Sequence, residues 1–150
     1  RRHRLLLQVL TWMKDNQVVA DAFDCTAAMS ACARALQWEA ALRLFYDMPG
    51  LQVRPDIIAC KAALNACKKS GQWQFALALV GSMRRFEVAP DVISCSAAIS
   101  ACRKGGNWQS TLGLLSSMPG MGVEPDVISC SAGISACERG GQWRYPLTLL

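Results

Sequence analysis

The chain has 150 residues, a formal net charge of +5, and 52% hydrophobic against 18% charged residues. No run of about 18 apolar residues occurs, so a membrane-spanning helix is excluded. Eight cysteines stand beside a single histidine, His3, which leaves no Cys/His or Ser/His/Asp grouping for catalysis and predicts no enzyme.

One period governs everything else. Cys25, Cys60, Cys95 and Cys130 are 35 residues apart, as are Cys32, Cys67, Cys102 and Cys137. Trp38, Trp73, Trp108 and Trp143 keep that step, as do Met13, Met48, Met83 and Met118, and Asp21, Asp56, Asp91 and Asp126. Self-similarity of this length signals stacked supersecondary units, each burying its apolar side against its neighbours. The boundaries it implies are the tail of one repeat over 1–21, complete repeats over 22–56, 57–91 and 92–126, and a partial repeat over 127–150. Together they read as one segment of a longer array.

In chain order, Arg1-Arg2-His3-Arg4 before Leu5-Leu6-Leu7 resembles the charged and apolar regions of a signal peptide. However, Leu6, Leu7, Leu10 and Met13 are in register with Ala41, Leu42, Phe45 and Met48, so they read as the end of a repeat. The repeat over 92–126 has the cleanest signals. Cys95, Ala98, Ile99 and Cys102 are spaced i, i+3, i+4, i+7, the apolar stripe of a helix. Lys104-Gly105-Gly106-Asn107 then supplies a basic last turn, glycines suited to a left-handed cap, and a capping residue for the next helix. Trp108, Thr111, Leu112 and Leu115 repeat the spacing, and Pro119-Gly120 followed by Pro125 turns the chain back. The unit is therefore a hairpin, with helices over about 93–104 and about 107–118.

Two local departures stand out. The first complete repeat has Arg34-Ala35-Leu36-Gln37 where the others carry glycine, so its turn must close without that aid. Pro146 falls near the start of a second helix, where a missing N–H is tolerable. The cysteines sit seven apart within a repeat, about 10 Å along a helix, which is too far for a disulfide. They lack the close pairs that zinc favours, so they read as buried apolar filler in a reducing compartment. The tryptophans, each heading an apolar stripe, read as wedges between hairpins.

These features resemble the pentatricopeptide repeat: the 35-residue period, the aliphatic opening Val92-Ile93, the Gly-Gly turn, the Leu-Leu second helix, Met118 and the closing Pro125-Asp126. The uniform spacing is similar to the class without alternating repeat lengths. The cysteines at 25, 60, 95 and 130 depart from the family, which usually has an aromatic there. The resemblance implies an all-α fold, a right-handed α-solenoid of helix-turn-helix hairpins. It also implies sequence-selective binding of single-stranded RNA, about one base per repeat, in RNA processing, stability or translation in a mitochondrion or plastid. No cofactor, metal, membrane or small-molecule substrate is implied, and protein partners are left to regions outside the segment.

Residue by residue, the resemblance places base-reading side chains at Thr26, Lys61, Ser96 and Ser131. Asp56, Asp91 and Asp126 are their respective partners for the first three, and Asp21 is the equivalent of the preceding repeat. Phe23, Ile58, Ile93 and Ile128 match the residues that wedge between bases, and Arg34, Lys69, Lys104 and Arg139 match a basic contact to phosphate. Family preference assigns G to Thr26 with Asp56 and to Ser96 with Asp126, while Lys61 with Asp91 has no assigned base. Lys61 either pairs with Asp91 or reaches a phosphate. Plainer roles compete. The aspartates precede helices and suit N-caps, although Ser94 and Ser129 can also cap and so release Asp91 and Asp126. The basic residues complement helix C-termini. A protein-binding helical scaffold is the alternative function.

Overall fold

The computed structural model describes residues 2–16 and 21–141, so Trp143 and Pro146 lie outside the described residues. Among the described residues there are eight α-helices and no strand. They are α1 (Arg2–Asp15), α2 (Ala22–Arg34), α3 (Trp38–Asp47), α4 (Ile57–Ser70), α5 (Trp73–Met83), α6 (Val92–Lys104), α7 (Trp108–Ser117) and α8 (Val127–Arg139). Helices α2–α3, α4–α5 and α6–α7 form hairpins stacked as an α-solenoid.

The first helices α2, α4, α6 and α8 lie directly against one another, and each second helix also packs against the first helix of the next hairpin. Small side chains make this approach possible. Ala28, Ala63, Ala98 and Ala132 face inward with Cys25, Cys60, Cys95, Cys32, Cys67 and Cys102. The cysteines are free thiols, buried except for the half-buried Cys130. Burial pushes Cys60 and Cys102 up to about 11 and Cys67 up to about 12, so they stay protonated as apolar filler.

As an α-helix α7 stops just before Pro119, as the sequence suggests, and the other second helices stop at the equivalent place, α5 without a proline there. A single 3-10 turn prolongs each of them, over Pro49–Leu51, Arg84–Phe86 and Pro119–Met121. Each turn ends in a left-handed residue, Gln52, Glu87 or Gly122. The N–H groups of Val53, Val88 and Val123 then return to the carbonyls of Met48, Met83 and Met118, each at 2.9 Å. The three methionines are fully buried, which accounts for their fixed step.

The inter-helix turn uses two glycines for two different purposes. Gly106 takes the left-handed conformation at φ +77°, as Gly71 does at +69°. Gly105 keeps a helical backbone but must be thin, because a Cβ there would stand 2.4 Å from Trp73 Cδ1. Gly140 faces Trp108 in the same way. The tryptophans thus lodge between successive hairpins. In the first hairpin the left-handed position falls to Leu36, at φ +59° and 64% exposed. A non-glycine residue in that region carries about 1–3 kcal/mol of strain, and Leu36 buries little to offset it. Leu36→Gly is expected to stabilise the chain by about 1 kcal/mol after the loss of chain entropy, seen as a higher urea midpoint with an unchanged m-value.

Candidate nucleic-acid interface

Each first helix begins at an aspartate in extended conformation. Asp21, Asp56, Asp91 and Asp126 accept, through Oδ1, the N–H of Asp24, Ala59, Ser94 and Ser129, each at 2.8 Å. All four are therefore N-caps, and Ser94 and Ser129 do not replace them. Instead both serines are buried and support the cap, with Ser94 Oγ donating to Asp91 Oδ1 at 2.8 Å and Ser129 Oγ to Asp126 Oδ1 at 2.6 Å. The cap takes one carboxylate oxygen and leaves Oδ2 for another partner.

At Asp91 that partner is Lys61, whose Nζ stands 2.7 Å from Oδ2. Burial pushes the Asp91 carboxyl up, but the hydrogen bonds from Lys61 and Ser94 outweigh it and hold the group below its ordinary value. Asp126 is likewise held low, by the hydroxyl and backbone N–H of Ser129. Both are ionised acceptors at neutral pH.

The stacking of first helices lines these groups up. A groove of about 560 Å³ is walled by Thr26, Lys61, Ser96 and Asp126, with Ile58, Ile93 and Ile128 between them. A neighbouring hollow of about 440 Å³ holds Phe23, Thr26, Asp56 and Ile58. Phe23, Ile58, Ile93 and Ile128 are 59–79% exposed, unusual for such side chains on the first helices of four successive repeats. Asp91 joins the groove through Lys61. Asp21 lies at the head of α2 and Ser131 is exposed on α8, and neither lines these two hollows.

A third hollow, at the C-terminal ends of the first helices, gathers Lys68, Lys69, Arg103, Lys104 and Arg139. Arg34 is exposed at the end of α2 and does not line it. Lys104 has a structural task as well, since its Nζ donates to the Lys69 carbonyl and ties α6 to α4. That is the helix-end role, and it limits the reach of Lys104 toward a phosphate. Sequence reasoning missed Lys68 and Arg103, each one residue before the basic ladder. It also missed Ser30, Asn65 and Ser100 in the groove. Their signal was present, since they stand four residues after Thr26, Lys61 and Ser96 and so share a helix face.

Comparison with known families identifies the repeat. A family described as the pentatricopeptide repeat domain matches residues 43–107, and the PPR repeat matches 24–53 and 93–123. The chain belongs to the pentatricopeptide repeat family. Comparison with curated proteins finds no match. Among solved structures, it resembles the PPR domain of Arabidopsis thaliana protein-only RNase P 1, solved in complex with tRNA. That match has TM-score 0.82 at 13% identity and covers 99% of this chain and 78% of that one. It also resembles PPR10 from maize (TM-score 0.71, 23% identity, 85% of this chain, 18% of that one). PPR10 in complex with an 18-nt psaJ RNA element gives TM-score 0.75 at 22% identity, over 98% of this chain and 22% of that one. The chain thus spans about a fifth of PPR10, and at these identities the likeness concerns the solenoid fold.

Proposed function

We propose that this groove binds single-stranded RNA sequence-selectively, one base per hairpin, in the organellar RNA metabolism typical of the family. The observation that carries the reading is the alternation along the groove and the hollow beside it: exposed Phe23, Ile58, Ile93 and Ile128 interleave with polar Thr26, Lys61 and Ser96. Packed helices lie about 8–10 Å apart, whereas stacked bases rise about 3.4 Å. A strand read at one base per hairpin must therefore be unstacked, which a single strand tolerates. Apolar side chains inserted between its bases replace part of the lost stacking, worth about 1–3 kcal/mol per base for aromatic partners. The family resemblance to structures solved with RNA supports the same reading.

An ionised Asp only accepts hydrogen bonds, so it suits bases with an imino N–H, namely G and U. Thr26 with Asp56 and Ser96 with Asp126 read G. The middle hairpin, whose Asp91 is held by Lys61, reads no base through its carboxylate. The expected core target is G-N-G. Lys68, Lys69, Arg103 and Arg139 contact phosphates.

The test is a titration of labelled RNA oligomers carrying G-U-G in a uridine background against oligomers with either G replaced. Affinity is expected to fall with salt at a log–log slope of about −0.7 per phosphate neutralised. A curve flat between low and moderate salt counts against the reading. Thr26→Asn is expected to move the preference of one position from G toward U, measured as the ratio of the two dissociation constants. An unchanged ratio removes the assignment of Thr26.

A further inference from the structure

Ser129 is fully buried at the head of α8, one hairpin beyond Ser96, and the two hydroxyl oxygens are 3.2 Å apart. Its single proton has a better destination than Ser96. Asp126 Oδ1 lies 2.6 Å away and, being ionised, can only accept. With that proton engaged, the Ser129 oxygen is left to accept, and the proton between the two serines comes from Ser96. Ser96 then faces the groove with lone pairs only.

We infer that Ser129 is a positioning residue that fixes the Ser96 hydroxyl as an acceptor, so that the Ser96–Asp126 pair recognises a base edge with two adjacent donors. This rests on the RNA-binding reading above and adds to it the atom each side chain takes. Guanine offers such an edge, with the imino N–H for Asp126 and the 2-amino group for Ser96. Uracil has a single donor flanked by acceptors and leaves Ser96 unmatched. Thr26 reaches the same polarity by a different route. Its hydroxyl donates to the Ala22 carbonyl at 2.7 Å within its own helix, and the position equivalent to Ser129 in the next hairpin is Ala59, which has no hydroxyl. The two G-reading positions therefore differ in what holds their hydroxyl, and each serves as a control for the other.

The experiment uses this chain and G-U-G RNA in a uridine background, with inosine in place of one guanine at a time. Inosine keeps the imino N–H and lacks the 2-amino group. In the unaltered chain each replacement is expected to weaken binding about fivefold, the worth of one neutral hydrogen bond. In Ser129→Ala the Ser96 hydroxyl is freed to turn, and without the β-branch that stiffens Thr26 it holds a bond to its own helix less firmly. Discrimination at one position, the same one that loses it in Ser96→Ala, is therefore expected to fall to about twofold, while the other retains it. The variant is expected to fold, because Ala59 already occupies the equivalent place under an intact Asp56 cap. Retained discrimination at both positions in Ser129→Ala, with loss at one in Ser96→Ala, overturns the inference and leaves the G-N-G reading standing. Indifference of the unaltered chain to guanine at either position overturns both.

Discussion

Gly105→Ala is expected to lower the unfolding free energy by about 2 kcal/mol, within the usual range for forcing extra volume into a packed interface. The backbone at Gly105, φ −76° and ψ −2°, suits alanine, so the loss is steric and not torsional. An added Cβ would stand 2.4 Å from Trp73 Cδ1 and 2.7 Å from the Gly71 carbonyl oxygen, and a backbone oxygen cannot swing aside. In a solenoid the damage falls on one nearest-neighbour interface, so urea unfolding is expected to broaden as the halves uncouple. One hairpin earlier Ser70 occupies the equivalent position, and there Trp38 lies against Phe75 with ring centroids 5.3 Å apart. The place equivalent to Phe75 is Ser110. Adding Ser110→Phe to Gly105→Ala gives Trp73 a similar partner and is expected to restore about 0.5–1.5 kcal/mol. A neutral Gly105→Ala, or a double variant no better than the single one, rejects this account of the wedge.

The same residues separate what a sequence discloses from what it conceals. A 35-residue step in Cys, Trp, Met and Asp was enough for the hairpins, their order and the stacking of Ala-rich first helices, because each signal is local and repeats. The row Thr26, Lys61, Ser96 was legible for the same reason. Competing uses of one atom were not. Asp56, Asp91 and Asp126 had the credentials of both caps and ligands, and only geometry divides them, with Oδ1 given to the backbone and Oδ2 left over. Gly105 and Gly106 read alike as turn glycines, yet one is needed for its conformation and the other for a neighbour 32 residues away. Lys104 fitted a phosphate ladder until its long side chain proved able to reach the previous hairpin's carbonyl. Each of these depends on contacts between repeats, which no single repeat's pattern encodes.

Lys61→Ser is expected to convert the middle hairpin into a third G-reading position, strengthening binding of G-G-G over G-U-G RNA by about tenfold or more. Removing the ammonium frees Asp91 Oδ2, and a hydrogen bond to a charged acceptor contributes about 1.5–3 kcal/mol. Serine at that position reproduces the Ser96–Asp126 pairing, and Ser94 is already in place to support it. The salt slope is expected to stay unchanged, because the Lys61 charge is engaged by Asp91 and not by a phosphate. A slope shallower by about 0.7 shows that Lys61 was a phosphate contact after all. The cost in stability is small, below about 1 kcal/mol, since the side chains are 31% and 41% exposed and solvent screens the pair. Its pH dependence has a definite sign. A carboxyl held below its ordinary value contributes stability that is complete above that value and disappears as the pH falls through the lowered one. The difference between the two chains is therefore expected at neutral pH and absent in acid. A gap that persists after Asp91 is protonated shows that Lys61 stabilises the groove by packing and not by charge.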